Sequence, residues 1–317
     1  MTIEERLTAI LAAIQTDPVN RGLARVPDRN LFTACAEDFA AACRNVAEHP
    51  DPAIDVFTGF MIAAATPPRM ETDGPLGAVF LARALIPLGI PVGISIERTA
   101  EKPLMAGLAA AGFGQVEVNL WDPSPDPGGR PDRMAHLVPA VKHASRPRSH
   151  YLAIERSGPA ADGACYTMRG RDISDHMAPV ESLFAPSERL ARRTIGIGDG
   201  GNEIGMGKIA PGIIAANIPQ GELIHCTVAT DYLVVAGISN WGAYALAAGI
   251  ALAMGRTLPP ELFDPAREKS ILEAMVAGGH LVDGVSAQPT ATVDGLNWDD
   301  YVKPLLQIES IVGKGHV

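Results

Sequence analysis

Apolar positions along the chain alternate between two periods. Ile3, Leu7, Ile10, Leu11 and Ile14 share one helical face, which predicts an amphipathic opening helix. A second helical segment follows near residues 29–48. After that, short continuous apolar runs bounded by turn signals take turns with helical patterns. Residues 53–59, 91–97, 116–121, 151–155, 194–199 and 224–230 read as strands. Residues 77–88, 101–111, 133–144, 241–254, 265–277 and 298–312 read as helices. Gly89 and Gly112 stand where two of these helices stop. Residues 122–132, with Pro123, Pro125, Pro127 and Pro131, form a loop. Residues 156–186 are polar and lack periodicity, a length of irregular chain that in a compact domain usually carries function.

Strands alternating with helices predict a mostly parallel, Rossmann-like sheet covered on both faces, that is, a three-layer α/β/α sandwich. No stretch has the composition of a domain linker and no segment repeats. The expectation is one domain over residues 1–317, with 1–50 a helical segment packed on it.

Composition narrows the function. The 317 residues are 47% hydrophobic, with a formal net charge of −10. Lys and Arg form only short runs such as Arg192-Arg193, so no nucleic-acid footprint is present; the acidic balance makes a cation site plausible instead, and an acidic small-molecule substrate is expected from the arginines considered below. Cys35, Cys43, Cys165 and Cys226 lack CxxC spacing, which argues against a disulfide scaffold or a cysteine zinc site. The N-terminus carries Glu4, Glu5 and Arg6 instead of an apolar core, so it does not read as a signal peptide. Tyr232 to Gly255 contains no charged residue, but Ser239 and Asn240 interrupt it as a helix cap. It reads as a strand end and a buried helix, not a membrane span. A cytoplasmic protein is expected; a homo-oligomer is left open.

Ligands of open α/β sheets bind beyond the carboxyl ends of the strands. Thr58 and Gly59, Glu155 and Arg156, Asp199, and Thr230 and Asp231 are the residues that follow four of the expected strands. Met70 to Pro75 places Glu71 and Asp73 at the same edge, with Thr72 or Asp73 as a helix N-cap. The segment Gly196 to Gly207 holds six glycines in twelve positions, more than a strand-to-helix turn requires. It also carries Asp199, Asn202 and Glu203. Gly196, Gly198 and Gly201 formally fit G-x-G-x-x-G, with Glu222 some 20 residues on. The first two glycines fall inside the expected strand, however, and Asp199 would repel a pyrophosphate. Arg156 and Arg169 are candidate carboxylate anchors. His225, in an apolar run, reads as a core residue.

At these residues the chain resembles a known family. Glu71-Thr72-Asp73-Gly74-Pro75, Ile154-Glu155-Arg156 with Gly158, Tyr166-Thr167-Met168-Arg169-Gly170 with Asp172, Gly196 through Gly207, and Ser239-Asn240-Trp241-Gly242-Ala243-Tyr244 are similar to the D-glutamate cyclase C-terminal domain family. The similarity runs from about Ala53 to Leu296. It implies a lyase that converts D-glutamate to 5-oxo-D-proline and water with a divalent metal, Mn²⁺ or Mg²⁺.

On that resemblance, Asp199 and Glu203 are the expected metal ligands, with Asp73, Glu71 or Asp231 completing the shell. Glu155 is the expected general base to the amine. Arg156 or Arg169 would hold the α-carboxylate, and the backbone N–H groups of Gly200 and Gly201 would face the oxyanion. Asn202, Asn240 and Thr58 complete the expected substrate contacts. Two alternatives stand beside this one: a metal-dependent phosphatase using the same acidic pocket, and a non-catalytic amino-acid or nucleotide-binding domain.

Overall fold

Six parallel strands make the central sheet of the computed structural model, which describes residues 1–123, 148–184, 192–279 and 281–313. They are β1 (Ile54–Gly59), β4 (Val92–Glu97), β5 (Glu117–Trp121), β6 (His150–Arg156), β7 (Arg193–Gly198) and β8 (Tyr232–Val235), in the spatial order β5-β4-β1-β6-β7-β8. The chain first winds outward through β4 and β5, then returns to the other side of β1 through β6, β7 and β8. This is the doubly wound order, and its direction reverses between β1 and β6. β2 (Met61–Ile62), β3 (Arg69–Glu71) and β9 (Leu281–Val282) form a small second sheet.

The strands alternate their side chains between two apolar layers. Ile54, Val56, Leu152, Ile154, Ile195, Ile197 and Val234 face the larger core. That core is covered by α1 (Ile3–Ile14), α3 (Asp38–Glu48), α4 (Pro75–Leu85), α5 (Glu101–Ala111), α8 (Ser239–Ala253), α9 (Pro265–Ala277) and α11 (Lys303–Gly313). Phe57, Tyr151 and Ala153 face the opposite side, where residues 157–184 pack with Phe184. Leu233 and Val235 meet the short α2 (Leu31–Ala34), α6 (Pro211–Asn217) and α7 (Gly221–Ile224) there. The three-layer sandwich expected from the alternating pattern is thus the fold. α10 (Trp298–Tyr301) precedes α11, splitting the expected last helix in two.

α8 explains the charge-free stretch. Residues Ser239 to Leu252 are buried all round its circumference, because α1, α3, α4 and α11 surround it. A helix apolar on every side is a core helix when others enclose it. Among the described residues no helix is long and apolar enough to cross a membrane.

One strand differs from expectation. Residues 224–230 end α7 and continue as irregular chain; the sixth strand is Tyr232–Val235. Both runs are β-branched and apolar, and only the second pairs with β7, Ile195 opposite Tyr232. The helix expected at 133–144 lies outside the described residues.

Candidate active site

The glycines of β7 are there for close packing. A Cβ on Gly196 would come within 2.8 Å of Gly205 Cα and of the Ile204 carbonyl oxygen, so the chain after β7 folds back against the strand itself. Gly201 adopts φ +95°, a conformation that favours glycine. In this hairpin-like return Glu203 points back into its own loop: Oε1 accepts from the Asp199 N–H at 3.0 Å and Oε2 from the Gly201 N–H at 2.8 Å. Two of the loop's amides are thereby committed to a carboxylate of the protein, and no helix starts there to receive a pyrophosphate.

Asp199 leaves the end of β7 and meets Glu155 at the end of β6. Glu155 sits where the β1–β6 pairing slips, Thr58 facing Ile154 but Gly59 facing Arg156. It is the extra residue of that bulge, at φ +44°. Such a conformation in a buried glutamate is strained, and bulges commonly re-aim a side chain beside a site. Asp73 comes from the segment before α4. One oxygen each from Asp73, Glu155 and Asp199 lie within 4.8 Å of one another, all buried.

Ser239, the first residue of α8, joins the three. Its N–H donates to Asp73 Oδ2 at 2.9 Å and to Asp199 Oδ2 at 3.1 Å, and its hydroxyl to Glu155 Oε2 at 2.6 Å. The Asn240 N–H donates to Asp73 Oδ1 at 2.8 Å. The positive end of the α8 dipole therefore faces the cluster. Asn240's side chain serves α4 instead of a ligand: Oδ1 accepts from the N–H groups of Gly74 and Gly77 at 2.8 and 2.7 Å. This is the capping role that the sequence suggests for Thr72 or Asp73, and Asn240 shares it with Asp73, whose Oδ1 accepts from the Gly74 N–H at 3.0 Å.

Glu155 and Asp199 of the cluster open onto a cavity of about 340 Å³. Glu71, Glu155, Asp199, Asn202, Glu203 and Arg169 line it, together with two residues that sequence reasoning missed, Arg21 and Asp294. Arg21 comes from the strap that follows α1. The Asp17 carboxylate accepts from the N–H groups of Arg21, Gly22 and Leu23, turning the strap so that the guanidinium enters the cavity. There it pairs with Asp294 Oδ2 at 2.6 Å and stands 3.6 Å from Asp199 Oδ2. The only sequence signal for Asp294 is its Asp-Gly turn with Gly295, and for Arg21 there is none beyond an arginine in a loop.

Several expected site residues lie elsewhere. Asp231 precedes β8, at the opposite edge of the sheet, and binds the Thr194 N–H at 2.7 Å and Arg193 at 3.2 Å. Its displacement follows directly from the strand's true position. Arg156 is buried away from the cavity, paired with Glu97 Oε2 at 2.5 Å and donating to the Ala178 carbonyl at 2.8 Å. It pins residues 157–184 over the sheet. Truncation to alanine would strand Glu97 as a buried unpaired charge, a cost of about 3–5 kcal/mol. Arg156→Ala is therefore expected to lower Tm by about 10 °C in a thermal melt, without acting as a substrate-binding variant. Thr58 is buried beneath Gly74, where a Cβ would come within 2.6 Å of its Oγ1. Gly200 and Gly201 do not line the cavity. His225 is a core residue, its Nε2 at 3.1 Å from the Met206 carbonyl.

Burial dominates the electrostatics. It pushes Asp73 up to about 7, helped by the nearby Asp294 and opposed by the Asn240 N–H and a hydrogen bond to Asp199. Glu71, Glu155 and Asp199 are raised well above the carboxylate range, first by burial and then by neighbouring carboxylates. Glu203 is raised by burial too, although the Asp199 and Gly201 amides oppose it. For Arg21 burial acts against the charge, but Asp199 and Asp294 outweigh it and hold the guanidinium protonated. A cluster of this kind retains protons until a cation replaces them.

The doubly wound sheet thus carries carboxylates and arginines beside its switch point, where open α/β sheets place their ligand sites. The chain belongs to the D-glutamate cyclase-like, C-terminal family, whose profile matches residues 10–308. D-glutamate cyclase, mitochondrial, of Homo sapiens is 29% identical over 255 residues. That match covers 79% of this chain and 39% of the human protein.

Proposed function

We propose that the chain is a lyase of the D-glutamate cyclase type, closing D-glutamate to 5-oxo-D-proline with loss of water at a divalent cation. The observation that carries this reading is the meeting of Asp73, Glu155 and Asp199 within 4.8 Å, two of them, Glu155 and Asp199, lining a cavity that also holds arginines. The donor set fits the ion: these are hard carboxylate oxygens with no cysteine or histidine among them, which suits Mn²⁺ or Mg²⁺ better than Zn²⁺. Asp73, Glu155 and Asp199 would hold it, and bound there it would polarise the γ-carboxyl and stabilise the charge that develops on its oxygen.

The chain's own residues supply the rest. The reaction forms the bond between the α-nitrogen and the γ-carboxyl carbon and breaks a carbon–oxygen bond. Both protons lost by the ammonium leave on the departing oxygen as water. Glu71, which lines the cavity beside the three holders, accepts a proton from the amine and returns it to that oxygen. Arg169 and Arg171, both exposed at the cavity, bind substrate carboxylate. Replacing either by alanine is expected to raise KM for D-glutamate about tenfold with kcat within about threefold, as for a group that binds ground and transition states alike. Steady-state kinetics on the two variants check this.

The proposal is tested by proton NMR of the purified protein with D- or L-glutamate, with and without Mn²⁺. Metal-dependent 5-oxoproline from the D-isomer alone supports it. If none forms while phosphate is released from phosphoesters, the phosphatase reading replaces it.

A further inference from the structure

The cavity is larger and more apolar than free glutamate requires. Its volume of about 340 Å³ lies in the range that encloses drug-sized ligands, well above the bulk of one amino acid. Glutamate has charged groups at both ends and only two methylenes between them. The lining carboxylates and the arginines satisfy the charges. The same cavity is also lined by Val19 on the strap, Phe60 before the small sheet, Ile62 within it, Met168, and Val285. Phe60 and Ile62 are buried, whereas Val285 is 47% exposed. A free amino acid leaves this wall without a partner, and an apolar wall beside convergent polar groups is the usual make-up of a site for a ligand with an apolar part.

We infer that the cavity accepts glutamates whose γ-carboxyl is an amide of an apolar amine, and cyclises them with release of that amine. The inference rests on the proposed function and extends its substrate class. The chemistry is easier than loss of water from a carboxylate, because an amide carbonyl carries no negative charge to repel the attacking nitrogen. The α-nitrogen bonds to the γ-carbonyl carbon, and the bond from that carbon to the substituent's nitrogen breaks. The two protons lost by the α-ammonium end on the leaving amine, which departs as an ammonium ion. No water, oxidant or reductant is consumed. The apolar substituent lies against Phe60, Ile62 and Val285, while the α-amine and carboxylate keep the polar side.

The test offers the Mn²⁺-supplemented protein D-glutamate and its γ-benzylamide in parallel, following 5-oxoproline and benzylamine by chromatography. Equimolar 5-oxoproline and benzylamine are expected from the amide, with a KM about tenfold below that of D-glutamate. Val285→Asp, at an exposed position, is expected to lower the preference for the amide over D-glutamate about tenfold in the ratio of kcat/KM values. D-glutamate turned over with no benzylamine released, or a preference unmoved in Val285→Asp, overturns the inference and leaves the cyclase reading standing. No 5-oxoproline from either compound removes both.

Discussion

Replacing Asp199 by asparagine is expected to reduce metal-dependent turnover of D-glutamate on the order of a thousandfold, about 4 kcal/mol of transition-state stabilisation. The protein should remain folded. Asparagine keeps the shape of the side chain and removes its charge, so the cluster loses one of its three closely spaced carboxylates. Asp199 is also buried among Asp73, Asp294 and Glu203, which raise it. Metal-free, that carboxyl holds its proton, so asparagine replaces one neutral group by another of the same shape. The metal-free variant is therefore expected to melt no lower than the wild type, even as activity disappears. A variant with wild-type kcat would place the chemistry elsewhere.

The second large effect is on stability against pH. Asp73 is pushed from 3.8 up to about 7 in the folded protein, and Glu71, Glu155, Asp199 and Glu203 shift in the same direction. A raised carboxyl binds its proton more tightly when folded than unfolded. The stability this contributes is full below about pH 4 and is lost as pH rises through about 7. For Asp73 alone the shift corresponds to about 4 kcal/mol. The metal-free protein should accordingly melt several degrees lower at pH 8 than at pH 5. Mn²⁺ should reverse the loss at pH 8, where it meets ionised oxygens, and have little effect at pH 5, where protons compete. Differential scanning calorimetry at the two pH values, with Mn²⁺ and with chelator, checks both halves. A metal-free Tm that rises from pH 5 to pH 8 would contradict the electrostatic account.

Most of the architecture was legible in the pattern of apolar residues, because a parallel sheet covered on both faces makes each strand a continuous apolar run. α5 and α9 begin and end where the periodicity places them, with α5 stopping at Gly112. The site was legible in part. Glu155 and Asp199 stand at strand ends, and Asp73 at a helix start, positions that can be read along the chain. Asp231 shows the limit: two neighbouring β-branched runs compete for the sixth strand, and choosing the first moves Asp231 to the wrong edge of the sheet.

What remained hidden depends on contacts between distant segments. Ser239 joins three carboxylates only because α8 starts beneath the ends of β6 and β7. Arg21 enters the cavity through the turn that Asp17 organises. The bulge that re-aims Glu155 is a property of strand pairing and has no signature in the residues themselves. Arg156 is the converse case. A carboxylate-binding arginine next to a site glutamate is a reasonable reading of Glu155-Arg156, but adjacent strand residues face opposite ways, and the buried Glu97 claims the guanidinium.

The central claim is that Asp73, Glu155 and Asp199 form one cation site on which substrate acts. Electron paramagnetic resonance of Mn²⁺ titrated into the protein at pH 8 tests it most directly. One tightly held ion per chain is expected, lost in Asp199→Asn, with a bound-ion spectrum that changes when D-glutamate is added. A wild-type protein that retains no Mn²⁺, or an Asp199→Asn variant that retains it undiminished, would contradict it.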